Sequence, residues 1–310
     1  MVTKHPLVSV IVPNYNHSAF LDERINSILN QDYDNLELII LDDKSTDNSV
    51  EVIKKYQEHS RVSNIILNDK NSGSPFKQWE KGFENAKGEL IWIAESDDSC
   101  ERGFLGALVS EFEKDADCVL AFCRSVKIDV NGVKLSEDGF PNSFCLEGRT
   151  FIKKDLSRFN YIVNASSAIF AKSALENMDH FYTGFRGCGD WIFWIEVAKC
   201  GHVAYVNQPL NYFRQHGSNT TTEQSRTGKG ELEVIAVSNY LKTRNYIDSK
   251  DYLRIKVVHI YSVKYGKLSS FFSDDVKSEI LRGWGNEEFP NFLANMAYYM
   301  KCIGIKLINR

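Results

Sequence analysis

The 310-residue sequence has no surplus of positive charge: 37 lysines and arginines stand against 41 aspartates and glutamates, a formal net charge of -4. Polymeric DNA or RNA is therefore a poor candidate partner, because proteins that bind it usually need a basic surface to displace counterions from phosphates. Long apolar runs are also missing. Polar or charged residues interrupt every stretch before it reaches the roughly 20 apolar residues that cross a bilayer. The opening Met1 to Pro6 and the short run Leu7 to Pro13 are too brief for the apolar region and cleavage site of a signal peptide. No Cys-x-x-Cys pair occurs. The seven cysteines (Cys100, Cys118, Cys123, Cys145, Cys188, Cys200 and Cys302) are odd in number and scattered, so neither a zinc ribbon nor a disulfide framework is indicated. Together these absences lead us to expect a soluble chain of the reducing cytoplasm, at most peripheral at the inner face of a membrane.

What is present is a globular composition, 43% hydrophobic and 25% charged, in a chain long enough for one large α/β domain and a smaller appendage. From residue 7 to about 128, short β-branched runs alternate with amphipathic stretches, the pattern of βαβ units and a mostly parallel sheet. The strands read from Leu7, Leu36, Val62, Glu89 and Cys118. Helical spacing joins Phe20, Ile25, Ile28 and Leu29, and again Val50, Ile53 and Tyr56 within residues 48–59. After residue 128 the alternation breaks at Asn131-Gly132, a hairpin signal, and a helix is expected near Phe151 to Arg158. A strand at Ser166 to Ala171, a glycine-rich loop from Gly184 to Gly189, a helix with Trp191 and Trp194, and a strand at His202 to Asn207 follow. From about Gly230 the chain reads as helical. The expected organisation is a catalytic domain over 1–225, with a nucleotide-binding part to about 128 and an acceptor part over 129–225, then a helical region over 226–310.

Chemistry is expected at strand ends, where open α/β sheets bind ligands. Pro13-Asn14-Tyr15-Asn16 leaves the first strand, and Asp42-Asp43-Lys44-Ser45-Thr46-Asp47 leaves the second. Ser45, Thr46 and Asp47 read most simply as helix caps. Asp42 and Asp43 are two adjacent acids after a buried strand, which repel each other without a ligand or hydrogen-bond donors. Glu95-Ser96-Asp97-Asp98 follows another apolar strand. Such acids suit a hard cation between protein and diphosphate, and the plainer alternative is a cap on the helix beginning near Arg102.

In order, Val8 to Asn16, Ser27 to Asp32, Glu37 to Asp47 and Gly82 to Ile91 resemble the family-two glycosyltransferases of the GT-A fold, over roughly residues 7–217. The resemblance implies an α/β, Rossmann-like, mostly parallel sheet flanked by helices, and inverting transfer of a sugar from a nucleotide diphosphate sugar, favouring a UDP-sugar. The acceptor would be the hydroxyl of a saccharide or lipid-linked saccharide, in polysaccharide or glycoconjugate biosynthesis. It implies that Pro13, Tyr15 and Asp42, with Asp43 close by, hold base and ribose, and that a divalent cation, Mn²⁺ or Mg²⁺, sits at Glu95 to Asp98. The family pattern there is Asp-x-Asp, so Glu95 stands at its first position and Asp97 becomes the principal ligand. His216 resembles the family's metal-side histidine, and a neutral imidazole suits that role. Arg214 would help neutralise the diphosphate. Asp190 falls at the general-base position, preceded by Gly189 where the family has an acid. Its local sequence also suits a helix cap. Trp191 is expected toward an acceptor sugar and Trp194 toward the core.

Two other classes fit parts of this pattern. A nucleotidyltransferase that makes sugar nucleotides would need a glycine-rich phosphate loop after the first strand, where this chain has Pro13 to Ser18. A catalytically impaired sugar-nucleotide-binding protein would account for Glu95 and Gly189. The basic, amphipathic stretch from Asn291 to Arg310 is compatible with an interfacial helix beside a lipid-linked acceptor, or with a helix packed on the catalytic domain or across a homo-oligomer.

Overall fold

The computed structural model describes residues 4–217 and 227–285. The chain divides into two compact units, one of residues 1–156 with 160–216, the other of 157–159 with 217–310. The expected final helix from Asn291 to Arg310 lies outside the described residues.

The first unit is built on a mixed sheet. Strands β1 (Val8–Asn14), β2 (Leu36–Asp42), β3 (Val62–Leu67) and β4 (Leu90–Ile93) run parallel, with β1 between β2 and β4. The chain steps outward from β1 through β2 to β3 and then returns to the other side of β1. Such a reversal opens a crevice beyond the strand ends, the usual ligand site of an open α/β sheet. The two-residue β5 (Ser99–Cys100) and the long β6 (Cys118–Ile128) are followed by the hairpin partner β7 (Lys134–Asp138), β8 (Phe144–Glu147), β9 (Ala168–Ala171) and β10 (His202–Arg214). The path through the sheet is β3-β2-β1-β4-β9-β6-β10-β5. Because β9 runs antiparallel to both β4 and β6, the sheet is mixed beyond β4.

Pro13 marks where β1 and β4 part. Ala94 N donates to Ile11 O at 2.8 Å, and Pro13, two residues on, has no N–H with which to continue the ladder. The segment after β4 is thus free to swing out as the acidic loop. Helices α1 (Ser18–Leu29), α2 (Ser49–Lys54), α3 (Pro75–Asn85) and α4 (Phe104–Lys114) connect these strands. The core has one face of β1, β2 and β4 packed under Leu21, Ile25 and Ile28 of α1 and Phe104, Leu105 and Leu108 of α4. Trp92 lies at its centre, stacked on Phe104 at 4.3 Å between centroids, with the Arg24 guanidinium 4.8 Å from its ring centre. A buried cation over an indole face is a favourable pairing.

Several elements differ from the sequence expectation. The helix expected over residues 48–59 is only six residues long, ending at Lys54. The one near Phe151 is a short turn, α5 (Gly148–Phe151), continued as a wider π turn to Leu156. The strand expected from Ser166 starts at Ala168, because Ala165 to Ser167 form a 3₁₀ turn. The last strand runs to Arg214 rather than Asn207, with register shifts around Pro209 that carry it past that residue. Helix α6 (Gly189–Ala198) is buried nearly all round.

The second unit contains α7 (Lys229–Thr243), α8 (Ser249–Lys264) and α9 (Asp274–Gly283). Asp248 caps α8 by accepting from the backbone of Lys250 and Asp251, and Ser273 accepts from Val276 N at the start of α9. Trp284 stacks on His259 of α8. Among the described residues no helix is long and apolar enough to cross a membrane.

Candidate active site

The loops leaving β1 and β2 are laced together. Asn16 and Lys44 both take positive φ, 57° and 64°, conformations that non-glycine residues adopt infrequently. Asn16 N donates to Ser45 Oγ at 2.9 Å, and Thr46 N donates to Asn16 Oδ1 at 2.7 Å. Asp47 accepts from Ser18 N at the start of α1 and from Ser49 N at the start of α2, so one carboxylate caps two helices.

Within this frame the two adjacent acids have different surroundings. Asp42 accepts from Asn14 Nδ2 and Ser45 N, both at 2.9 Å. Asp43 accepts from Asn68 Nδ2 (2.7 Å), Gln78 Nε2 (3.0 Å) and both the N and Oγ of Ser72. The repulsion expected between them is thus met by protein donors, and Asp43 holds the chain between β3 and α3 in place. Pro13 is buried in β1, whereas the Tyr15 side chain is 46% exposed, free to lie on a planar ligand.

The acidic loop lies across β1 from β2, and at ~4.8 Å per strand step the ends of β2 and β4 are about 10 Å apart. Its three acids do three different things. Asp98 accepts from Asn164 Nδ2, Ser166 Oγ (2.6 Å) and Arg214 N (3.0 Å), and burial together with the neighbouring Asp97 pushes its carboxyl up to about 7. Glu95 accepts from Trp79 Nε1 at 3.0 Å, and burial followed by the charge of Asp97 pushes it up to about 8. Asp97 is held below its ordinary value: burial works to raise it, but the hydrogen bond from His216 and the fields of His17 and His216 outweigh that. It is the carboxylate that stays charged. Neither Asp97 nor Asp98 caps the next helix, since β5 intervenes and α4 starts after Gly103 without a side-chain cap.

The short β5 explains how His216, more than a hundred residues away, reaches Asp97. Ser99 and Cys100 pair antiparallel with Tyr212 and Asn211 of β10, which lays the end of β10 along the acidic loop. His216 Nε2 then sits 2.8 Å from Asp97 Oδ2. From the other side comes His17, the residue before α1, with Nδ1 2.9 Å from Ser96 Oγ and its ring edge-on to His216 at 5.4 Å. Burial lowers the His17 pKa, against the pull of Asp97, which favours the neutral imidazole that ligates metals. One ligand atom from each of His17, Asp97 and His216 lies within 4.8 Å of the others. One carboxylate and two imidazoles at the crevice are a donor set for a divalent ion, the carboxylate being the ligand that suits Mn²⁺ or Mg²⁺.

His17 was not among the candidates drawn from the sequence. Its usable signal is position: it is the last residue between the end of β1 and the start of α1. Arg24 was missed as well, although it falls in the same helical stripe as Leu21, Ile25 and Ile28 and is fully buried, where its charge lowers both Asp98 and Glu95.

Two residues expected to contact ligands are buried and bonded within the protein. Arg214 is 2% exposed; its Nε donates to Asp97 O at 2.8 Å, Nη1 to the carbonyls of Asp129 and Val130, and Nη2 to Glu23 at 2.7 Å. It braces the acidic loop from behind, stacked on Phe20, whose other neighbour is the His216 ring. Trp191, expected toward the acceptor, is 7% exposed, and its indole N–H donates to Leu156 O at 2.6 Å. Trp194 is in the core against Phe170 and Phe193.

Asp190 is the second residue of α6. One carboxylate oxygen accepts from Trp191 N at 2.8 Å, the other from Asn160 Nδ2 at 2.9 Å. Four residues after Asn160, Asn164 holds Asp98. Asp190 and the acidic loop are therefore tied to one segment, over a Cα span of at most about 14 Å. A second tie runs through aromatic rings. A Cβ on Gly189 would fall 2.5 Å from the Phe76 ring, Phe76 meets Trp79 edge-on at 5.0 Å, and Trp79 donates to Glu95. That packing is why glycine stands before Asp190, where the resembling family carries an acid.

The profile of Glycosyl transferase family 2 matches residues 9–177. Glycosyltransferase GlyG of Streptococcus pneumoniae is 40% identical over 227 residues, covering 70% of this chain and 74% of that one. The GalNAc(5)-diNAcBac-PP-undecaprenol beta-1,3-glucosyltransferase of Campylobacter jejuni is 27% identical over 209 residues, 67% of this chain and 65% of its own. In structure, S. aureus TarS 1-349 in complex with UDP superposes with a TM-score of 0.66 at 17% identity, over 90% of this chain and 80% of that one. The likeness to TarS shows a shared mixed α/β fold.

Proposed function

Because the chain belongs to glycosyltransferase family 2, we propose that it moves a sugar from a uridine diphosphate sugar to a hydroxyl of a saccharide or lipid-linked saccharide, with inversion at the anomeric carbon. The observation that carries this reading is the convergence of His17, Asp97 and His216 at the crevice where β1 and β4 part. Those three residues would hold a divalent cation, which when bound stabilises the negative charge that develops on a diphosphate leaving group. Tyr15 covers the base, and Asp42, fixed by Asn14, meets the ribose. UDP in the TarS complex and the undecaprenol-linked acceptor in the name of the Campylobacter relative favour this donor and this acceptor class.

The rest of the chemistry belongs to side chains of the chain. Asp190 accepts the proton of the acceptor hydroxyl as that oxygen attacks the anomeric carbon, a role that typically contributes ~10²- to 10⁴-fold in rate. Asn160 orients the carboxylate through its 2.9 Å bond, and the N–H of Trp191 holds its other oxygen. Arg214 keeps the backbone of Asp97 in position.

Calorimetry of UDP binding with and without Mn²⁺ tests the reading. Mn²⁺-dependent affinity in the native chain that disappears in Asp97→Ala supports it. Equal affinity with and without the ion, or an unchanged Asp97→Ala, removes it.

A further inference from the structure

At the opposite end of β10 from His216, up to about 40 Å along the 13-residue strand at ~3.3 Å per residue, a second group of ligating side chains meets. Asp115 follows the last turn of α4, His202 opens β10, and Cys145 lies on β8. Asp115 Oδ2 is 2.7 Å from His202 Nδ1 and 3.3 Å from Cys145 Sγ, and one ligand atom from each residue lies within 4.8 Å of the others. These residues take no part in the crevice described above.

Each is fixed by the backbone rather than by chance contact. In the antiparallel β8–β10 ladder His202 is opposite Glu147 and Ala204 opposite Cys145, so His202 and Cys145 are diagonal neighbours on one face. Helix α4 covers that face and brings Asp115 over it. Asp115 N donates to Glu111 O, its Oδ1 accepts from Asp117 N at 2.9 Å, and His202 N donates to Asp117 O at 2.7 Å. One carboxylate oxygen is thereby anchored and the other is turned to the imidazole and the thiol. Tetrahedral zinc, with bonds of ~2.0–2.3 Å to oxygen, nitrogen and sulfur, needs ligand atoms about 3.3–3.6 Å apart. The carboxylate–imidazole and carboxylate–thiol separations would open by about 0.6 and 0.2 Å, and the imidazole and thiol lie within 4.8 Å of each other.

We propose that Asp115, Cys145 and His202 form a second divalent metal site, of the zinc class, with water in the fourth position. The thiolate sets the preference: sulfur and imidazole suit zinc, whereas Mn²⁺ and Mg²⁺ favour oxygen. Without metal, the carboxylate and imidazole form an ion pair that raises the His202 pKa, and the thiol donates to Asp115. Binding releases the thiol proton and any proton on the imidazole. The ion would clasp the end of α4 to the β8–β10 ribbon, away from the crevice, with its fourth position open to water.

The test uses the full chain, stripped of metal and titrated with Co²⁺ as a spectroscopic substitute for zinc. The expected result is a thiolate-to-cobalt charge-transfer band that Zn²⁺ abolishes by displacement. The band persists in Asp97→Ala, disappears in Cys145→Ser, and in His202→Ala needs about tenfold or more Co²⁺, since even loss of an outer partner costs that much. No band in the native chain, or a band that survives in Cys145→Ser, overturns the proposal. Alkylation of Cys145, which is exposed, gives an independent reading in the native sequence. Zn²⁺ should slow it at least about tenfold in the native chain and not in His202→Ala. Equal alkylation rates with and without Zn²⁺ would also overturn it.

Discussion

Replacing Gly189 by alanine probes the link between packing and chemistry in this site. An ideal Cβ there would lie 2.5 Å from Cε2 and Cζ of Phe76 and 2.6 Å from the carbonyl oxygen of Tyr182. Ordinary contact is ~3.5–4.0 Å, so the methyl overlaps its neighbours by about 1 Å. The ring cannot swing away easily, because Phe76 is buried against Trp79 and Tyr182, and the second neighbour is backbone. Overpacking of this kind costs about 1–3 kcal/mol. Taking about 2 kcal/mol, at ~2–4 °C per kcal/mol for a unit of this size, Tm should fall by about 4–8 °C. Relief must come from moving the start of α6, which carries Asp190 and strains its bond to Asn160. A displacement of about 1 Å is enough for a ~10²-fold loss of turnover. Scanning calorimetry and donor turnover read both effects. A Gly189→Ala chain with native Tm and native turnover would refute the argument that this packing positions the base.

Four further outcomes follow from the same geometry. His17→Ala should weaken Mn²⁺-dependent UDP binding by ~10- to 100-fold, measured by titration calorimetry, while metal-independent binding stays near native. Removing divalent ions with a chelator should abolish turnover, and added Mn²⁺ should restore it, read by donor consumption. Asn160→Ala, which removes a positioning residue rather than a catalytic one, should lower kcat about tenfold at unchanged donor affinity, about 1.4 kcal/mol. Glu37 is buried, which raises its pKa, yet donors from Ser9 Oγ at 2.6 Å and Lys87 N at 2.7 Å hold it below the usual value. Its contribution is present above the unfolded-state pKa and is lost as pH falls through the folded one, so Glu37→Gln should flatten the acid limb of stability against pH.

The strands of the parallel half were legible because residues buried on both faces leave nearly continuous runs of Val, Ile and Leu, broken only by Ser9 in Val8 to Val12 and by Glu37 in Leu36 to Leu41. The later half was harder to read. Asn164 and Ser166 look like the start of a strand, and only in three dimensions do their side chains turn to Asp98. The extension of β10 beyond Pro209 depends on register shifts against β6, which no local pattern announces. In the crevice, the acids at the ends of β2 and β4 stand out because charge directly after an apolar run is conspicuous. His17 and Asp97 are eighty positions apart and share no spacing rule, so their meeting depends on β1 and β4 being neighbours. Arg214 shows the converse. An arginine near a presumed diphosphate site reads as a ligand, and only the carbonyls of Asp97, Asp129 and Val130 around it reveal a brace.

The proposed transfer needs the Asp190 carboxylate, at the mouth of α6, to take the proton of the attacking hydroxyl beside a donor held elsewhere in the crevice. Turnover of a UDP-sugar by Asp190→Asn, measured with the UDP affinity of the same preparation, tests it most directly. The account predicts a loss of ~10²- to 10⁴-fold in turnover with UDP·Mn²⁺ affinity essentially native. Native turnover in that variant would contradict it.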